Sequence, residues 1–124
     1  KKLIKNNRCV AVADGFYEWK REGKEKTPHY FFRKDSKPIF FAGIYEEDQF
    51  CLITEEAKEN ISGIHHRQPV IISQTDINRY LNIELQGSAF LKECNKPDLI
   101  FYEVSKDVNK PTNNTASLIQ KVSS

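Results

Sequence analysis

The stretch ADGFYEW at residues 13–19 organises the first half of the chain. Its Asp14-Gly15 pair separates an apolar run at residues 9–13 from an aromatic run at residues 16–20, as a turn between two strands does. Further runs of strand character, divided by short polar turns, lie at residues 29–33, 38–45 and 50–54. Short strands at this spacing predict a small antiparallel sheet or barrel.

The second half of the chain has mixed helical and extended patterns. Thr54 can cap a short helix that begins at Glu55 and ends by Gly63, because a threonine hydroxyl accepts from the unpaired N–H groups of a first turn. Residues 73–76, Ser-Gln-Thr-Asp, resemble a capping box before a second helix. The remaining predictions are a helix at 88–94, a strand at 98–104 and a loop at 111–114. The fold class is therefore α+β, a sheet or barrel-like core with a few short flanking helices.

Composition limits the possible classes of protein. The chain has 124 residues, of which 39% are hydrophobic and 29% charged, as in a single soluble domain. It has no apolar run of membrane-spanning length and no secretory signal, which predicts a cytoplasmic location. Cys9, Cys51 and Cys94 are odd in number and scattered, which favours reduced thiols over a zinc site.

The net charge of +2 is too small to indicate a nucleic-acid-binding protein by itself. A short single-stranded site needs only a few cations and stacking rings, so this charge does not exclude one. A basic cluster beside Trp19 comprises Lys20, Arg21, Lys24 and Lys26. On pattern alone it is either a solvated hairpin turn or part of such a groove.

Glu18 is the first candidate for proton transfer. In a strand, Phe16, Glu18 and Lys20 share one face, and Tyr17 and Trp19 share the other. A carboxylate on the core-facing side is costly unless it is paired or lies in a polar cleft, where it can act as an acid or base. Alternatively, Glu18 lies on a solvated strand face without a functional role. For Trp19, the alternative to a functional role is that it anchors the core.

The segment IHHRQP at residues 64–69 contains the second candidate. Histidine changes charge near neutral pH, so His65 could donate a proton and recover it. Arg67 follows two residues later, and its planar guanidinium suits phosphate oxygens. His66 is the weaker candidate and fits a solvated position, while His29, in an aromatic strand, fits a structural role.

Together and in this order, the two segments resemble the SRAP family of abasic-site-processing proteins, whose hallmarks are an ADGFYEW-like strand and an IHxRxP-like loop. The resemblance runs from Arg8 to Val122 and includes PHYF at 28–31, FAGIYE at 41–46 and ITEEA at 53–57. The chain departs from the family at three positions, where proline, aspartate and often methionine are replaced by Val12, His66 and Gln68.

The resemblance implies roles for five residues. Glu18 matches the catalytic glutamate of the family, and His65 matches the histidine that assists opening of the sugar ring. Trp19, Thr54 and Arg67 match positions near the DNA. The implied partner is single-stranded DNA containing abasic sites, bound by a monomer without metal, membrane or organic cofactor. In a bacterium, the location would be near the nucleoid.

In the family, the α-amine of an N-terminal cysteine attacks the abasic aldehyde, and its thiol closes a thiazolidine. The result is a DNA–protein crosslink, and removal of the initiator methionine gives the family its peptidase name. Neither a Met-Cys start nor an upstream NARxET-like segment is present here. We therefore expect residues 1–124 to be one SRAP-like domain without its N-terminal portion, and to be inactive in crosslinking by itself.

Two other classes of function compete with this interpretation. One is a non-catalytic module that binds single-stranded DNA, and the other is a structural domain in which Glu18 and His65 only pair with each other. Cys9 is a poor substitute nucleophile because it has no free α-amine and starts an apolar strand, which predicts a buried, inert thiol.

Overall fold

The computed structural model describes residues 2–83, 90–91 and 97–109. Its helices are α1 (Lys2–Asn6), α2 (Glu59–Ser62) and α3 (Ile77–Leu81), with 3₁₀ turns at Gln74–Asp76 and Lys106–Asn109. Its strands are β1 (Arg8–Ala13), β2 (Gly15–Glu22), β3 (Glu25–Arg33), β4 (Ile39–Glu46), β5 (Gln49–Leu52), β6 (Thr54–Glu56), β7 (Arg67–Pro69), β8 (Ile71–Ile72) and β9 (Leu99–Glu103).

Every pairing among the described strands is antiparallel, and together with the short helices this confirms the predicted α+β class. The first sheet has the order β1-β4-β5, with β8 also paired to β4. The second has the order β2-β3-β9, and β6 and β7 form a two-stranded ribbon. Over the described part of the chain, these are three separate sheets rather than a closed barrel.

A charged turn closes the hairpin of β2 and β3. Its register runs from Gly15 opposite Phe32 to Glu22 opposite Glu25. Gly23 has a φ of 64°, a left-handed conformation that glycine adopts without steric cost. The turn therefore closes two long strands with only two residues between them.

Aromatic packing decides which face of β2 is inward. The Phe16 ring stacks on Phe31 with centroids 5.1 Å apart and meets the edge of Phe41 at 5.6 Å. Both partners are buried in a hydrophobic core cluster with Ile39, Ile61, Ile71 and Leu99. Phe16 and Glu18 share a strand face, so Glu18 lies on the side of β2 that faces the core.

The predicted helix start at Glu55 is wrong. Residues 54–56 form β6, which pairs with β7 so that Thr54 lies opposite Pro69. The helix α2 begins only at Glu59, after Lys58 donates its N–H to Gln68 Oε1 at 2.9 Å. The backbone of residues 54–56 forms its hydrogen bonds with β7 instead of starting a helix. Thr54 is therefore not a helix cap.

The predicted helix after residue 76 is confirmed, but its start differs from a capping box. A 3₁₀ turn precedes α3, and the Ser73 hydroxyl donates to Asp76 Oδ2 at 3.1 Å. The Ser73 side chain makes no capping hydrogen bond to the backbone.

The strand predicted at 98–104 is confirmed by β9. Of the helix predicted at 88–94, only residues 90 and 91 are described, and both are helical, while the loop at 111–114 lies outside the described residues.

Candidate functional site

A cleft of about 330 Å³ lies along β2. Its lining combines the two segments singled out in the sequence with three further polar side chains, and comprises Glu18, Trp19, Arg21, Lys26, His65 and Asn109. β2 is an edge strand, because among the described strands it pairs with β3 alone. Side chains from both of its faces therefore reach the same cleft, which explains why Glu18 and Trp19 both line it.

Glu18 is half-buried and lies opposite His29 in the hairpin. Its carboxylate has no hydrogen bond or ion pair within the described part of the chain. In particular, no bond joins it to His65, although both line the cleft. The alternative in which these two residues only pair with each other is therefore wrong. His29 is buried, with its ring edge against Phe101 at 6.0 Å, as expected of a structural histidine.

The His65 ring is held by its own loop. Its Nδ1 lies 3.2 Å from Arg67 N and 3.1 Å from Arg67 O, so this nitrogen can accept from the amide or donate to the carbonyl. The exposed His66 ring stacks on it with centroids 4.8 Å apart. Nε2 has no partner among the residues described and remains available to a ligand.

The Arg67 side chain is oriented by Thr54. Its Nη2 donates to Thr54 O at 2.8 Å and to Thr54 Oγ1 at 3.2 Å, and its Nε lies 3.3 Å from the same hydroxyl. Both residues are exposed, and neither lines the cleft. The structure thus holds the His65 ring against the Arg67 backbone, but it places the guanidinium outside the cleft wall.

Trp19 is half-buried and does not pack in the hydrophobic core of the described residues, so it is not a core anchor. Its indole Nε1 donates to Asn109 Oδ1 at 2.7 Å. Asn109 ends the 3₁₀ turn after β9, and Lys106 of that turn binds Glu25 Oε2 at 2.8 Å. Through this hydrogen bond, Lys106 lowers the pKa of the Glu25 carboxyl. The turn is therefore fastened to the hairpin at two points, which orients the indole.

Sequence reasoning did not assign three residues of the cleft wall, namely Arg21, Lys26 and Asn109. The basic cluster beside Trp19 was a signal for the two cations, although a solvated turn has the same pattern. No local signal could have found Asn109, because it reaches the indole from 90 residues further along the chain.

The two cysteines in the described part of the chain, Cys9 and Cys51, lie outside the cleft. Cys9 is half-buried in β1, and burial raises the pKa of its thiol. Cys51 is exposed, and neither cysteine lines the cleft. Over the described ranges, no three histidine, cysteine or acidic side chains are grouped to hold a metal ion. Within the same ranges, no helix is long and apolar enough to cross a membrane.

Comparison with protein families gives a match over most of the chain. The model of the family described as SOS response associated peptidase (SRAP) matches residues 1–111. Abasic site processing protein YedK of Escherichia coli is 30% identical, with 98% of this chain and 61% of YedK covered. Abasic site processing protein YoqW of Bacillus subtilis is 34% identical, with 97% and 60% covered. The chain therefore spans about three fifths of the length of these relatives.

Solved structures with the same fold agree with this match. A crystal structure of a protein from Bacteroides thetaiotaomicron superposes with a TM-score of 0.81 at 26% identity, covering 97% of this chain and 59% of that one. A phage-related protein from Bordetella bronchiseptica gives a TM-score of 0.66 at 23% identity, covering 85% and 57%, and shares the fold.

Proposed function

The chain belongs to the SRAP family, and from that premise we propose that it binds abasic sites in single-stranded DNA through the cleft along β2. The observation that carries the proposal is the convergence of Glu18, Trp19 and His65 on one cleft from segments more than forty residues apart. An unpaired carboxylate, an imidazole with a free nitrogen and an oriented indole suit a sugar aldehyde flanked by bases.

Ring opening of the abasic sugar needs one proton donor and one acceptor. In the proposal, His65 donates from Nε2 to the ring oxygen while Glu18 accepts the proton of the C1′ hydroxyl, which leaves the open aldehyde. The contacts of Nδ1 with Arg67 keep the imidazole in place during this exchange. Trp19 provides a stacking surface for a neighbouring base, and Arg67 with Thr54 contacts phosphate.

In the intact protein, we propose that an N-terminal cysteine outside this chain completes the reaction. Its α-amine adds to the aldehyde, water leaves as the imine forms, and the thiol then adds to the imine carbon to close a thiazolidine. Glu18 transfers protons between the amine and the departing hydroxyl. Removal of the initiator methionine, the peptidase step, would expose that cysteine.

A second candidate function is a non-covalent module that binds single-stranded DNA. It is favoured by the placement of the described thiols, since neither Cys9 nor Cys51 lines the cleft. The raised pKa of Cys9 further disfavours its thiolate. By itself, this chain would then bind the lesion as a monomer without reacting.

The two functions separate when the intact protein is incubated with an abasic single-stranded oligonucleotide and run on a denaturing gel, because the first predicts a covalent adduct and the second predicts none. This chain alone is expected to give no covalent adduct but to retain binding on a native gel. A stable adduct of this chain alone would overturn the assignment of the nucleophile and would point to Cys9 or Lys1.

In the intact protein, Glu18→Gln and His65→Gln should each slow crosslinking by about 10²- to 10⁴-fold, the usual contribution of general acid–base groups. Glu22→Gln is the matched control, because its side chain is exposed and lies outside the cleft wall. Equal rates for the cleft variants and this control would contradict the assigned roles.

A further inference from the structure

We propose that Arg21 and Lys26 form a phosphate-binding pair that holds the DNA backbone next to the abasic residue. The inference rests on the proposed function and adds two residues to it. Both side chains line the cleft that contains Glu18 and His65, so a phosphate bound between them lies beside the reacting sugar.

The register of the hairpin places the two cations face to face. Arg21 on β2 lies directly opposite Lys26 on β3, near the turn. Side chains in such a pair have Cβ atoms about 4.5–5.5 Å apart, and like charges at this separation destabilise a sheet. A bound anion between them would convert this repulsion into attraction to a shared partner.

The carboxylates of the hairpin do not neutralise this pair. Glu22 lies 3.9 Å from Lys20, and Glu25 lies 2.8 Å from Lys106. Arg21 and Lys26 have no ion pair or hydrogen bond within the described part of the chain, and both are exposed. The acidic groups nearest in sequence therefore serve other cations, which leaves these two available to an external anion.

The chemistry of the cleft indicates which anion binds. A guanidinium presents a planar fork that matches two phosphate oxygens, and an ammonium adds a compact charge. The indole of Trp19, oriented by Asn109, adjoins the pair in the same cleft and offers a stacking surface for a base. Phosphate beside a stacked base is the arrangement of a single nucleic-acid strand on its binding groove.

The test compares two lysines of one hairpin. Lys24 is an exposed turn residue that has no ion pair among the described residues and does not line the cleft, so Lys24→Gln is the matched control for Lys26→Gln. The probe is a fluorescent single-stranded oligonucleotide with a central tetrahydrofuran abasic analogue, titrated at several salt concentrations. We expect Lys26→Gln and Arg21→Gln each to weaken binding by about 10-fold at low salt, against less than about 2-fold for Lys24→Gln.

The salt dependence gives a second readout. In the Arg21→Gln, Lys26→Gln double variant, the slope of log affinity against log salt should fall by about 1.4, since each single-strand phosphate contact contributes about 0.7. Each single variant should keep or raise the unfolding temperature, because it removes one of two facing like charges. Weaker binding by a more stable protein cannot come from unfolding.

The outcomes separate this inference from the proposed function. If the parent chain binds the oligonucleotide and Lys26→Gln binds as Lys24→Gln does, the phosphate pair is refuted while the proposed function stands. If the parent binds no single strand at low salt, both fail. Inorganic phosphate is the last probe. Should it raise the unfolding temperature of the parent while the double variant keeps full DNA affinity, the pair binds free phosphate and the inference about DNA is wrong.

Discussion

The polar groups around Arg8 have hydrogen-bond partners within the chain, whereas three charged groups of the cleft have none among the described residues. Arg8 is only 7% exposed, and its Nε donates to Ile4 O at 2.6 Å. Its Nη1 donates to Tyr80 O and Asn82 O, both at 2.9 Å. The buried Tyr80 hydroxyl donates in turn to Gly43 O at 2.6 Å. All of these partners belong to the chain itself, and they join β1, β4 and α3.

In the cleft, by contrast, Glu18, Arg21 and Lys26 have no hydrogen bond or ion pair to the rest of the described chain. Charged groups that the fold needs are matched from within, because an unmatched buried charge would destabilise it. Charged groups that gather in a cleft without partners add little to stability and are available to a ligand. The comparison therefore separates polar residues that hold the fold from those that serve a site.

The largest effect is expected when Arg8 is replaced. Arg8→Met should lower the free energy of unfolding by about 3 kcal/mol, because buried carbonyls lose a charged donor. The matched change in the cleft, Arg21→Met, should alter it by less than about 0.5 kcal/mol. Urea unfolding followed by circular dichroism measures both, and equal losses would remove the distinction between the two regions.

Tyr80→Phe removes a single hydrogen bond from the same buried region and should have a smaller effect on stability. Loss of the hydroxyl bond to Gly43 should cost about 1–2 kcal/mol at pH 8. Burial raises the pKa of Tyr80 to about 12, above the ordinary value of 10.0. Ionisation therefore favours the unfolded parent protein as pH rises above 10, and the stability advantage of the parent over the variant should shrink between pH 10 and 12. A difference that stays constant over this range would contradict the burial of the hydroxyl.

Asn109→Ala should have a smaller effect, confined to the cleft. It removes the acceptor of the Trp19 indole, and we expect DNA affinity to fall by about two- to threefold, or about 0.5 kcal/mol. Trp19 is the only tryptophan, so its emission and acrylamide quenching report the ring directly. Asn78→Ala, at an exposed position on α3, is the control. Unchanged quenching in Asn109→Ala would show that the ring does not depend on this bond.

The smallest effect on stability is expected for Glu18→Gln. Because the carboxylate has no partner in the described part of the chain, its neutralisation should change the free energy of unfolding by less than about 0.5 kcal/mol. Thermal and urea unfolding at pH 7 measure this change. A loss above 1 kcal/mol would mean that Glu18 supports the fold and would move it to the same class as Arg8.

The sequence predicted the strands well because their signals are local. Alternating and continuous apolar runs marked β1 to β5 and β9, and Asp14-Gly15 marked the break between β1 and β2. The same reasoning failed at Thr54, where a good capping residue belongs to a strand. The competing partner there, β7, is distant in sequence, and its hydrogen bonds outweigh a local preference.

The sequence by itself determined which chemical groups this protein has and most of the strands that present them. Glu18, Trp19 and His65 were identified from residue type and order, and their roles stay predictions. Only the tertiary structure decided that these three share a cleft with Arg21, Lys26 and Asn109, while Arg67 turns to Thr54. The physical reason is range. Strand periodicity is written into neighbouring residues, whereas a cleft depends on how an edge strand, a loop and a distant turn pack together.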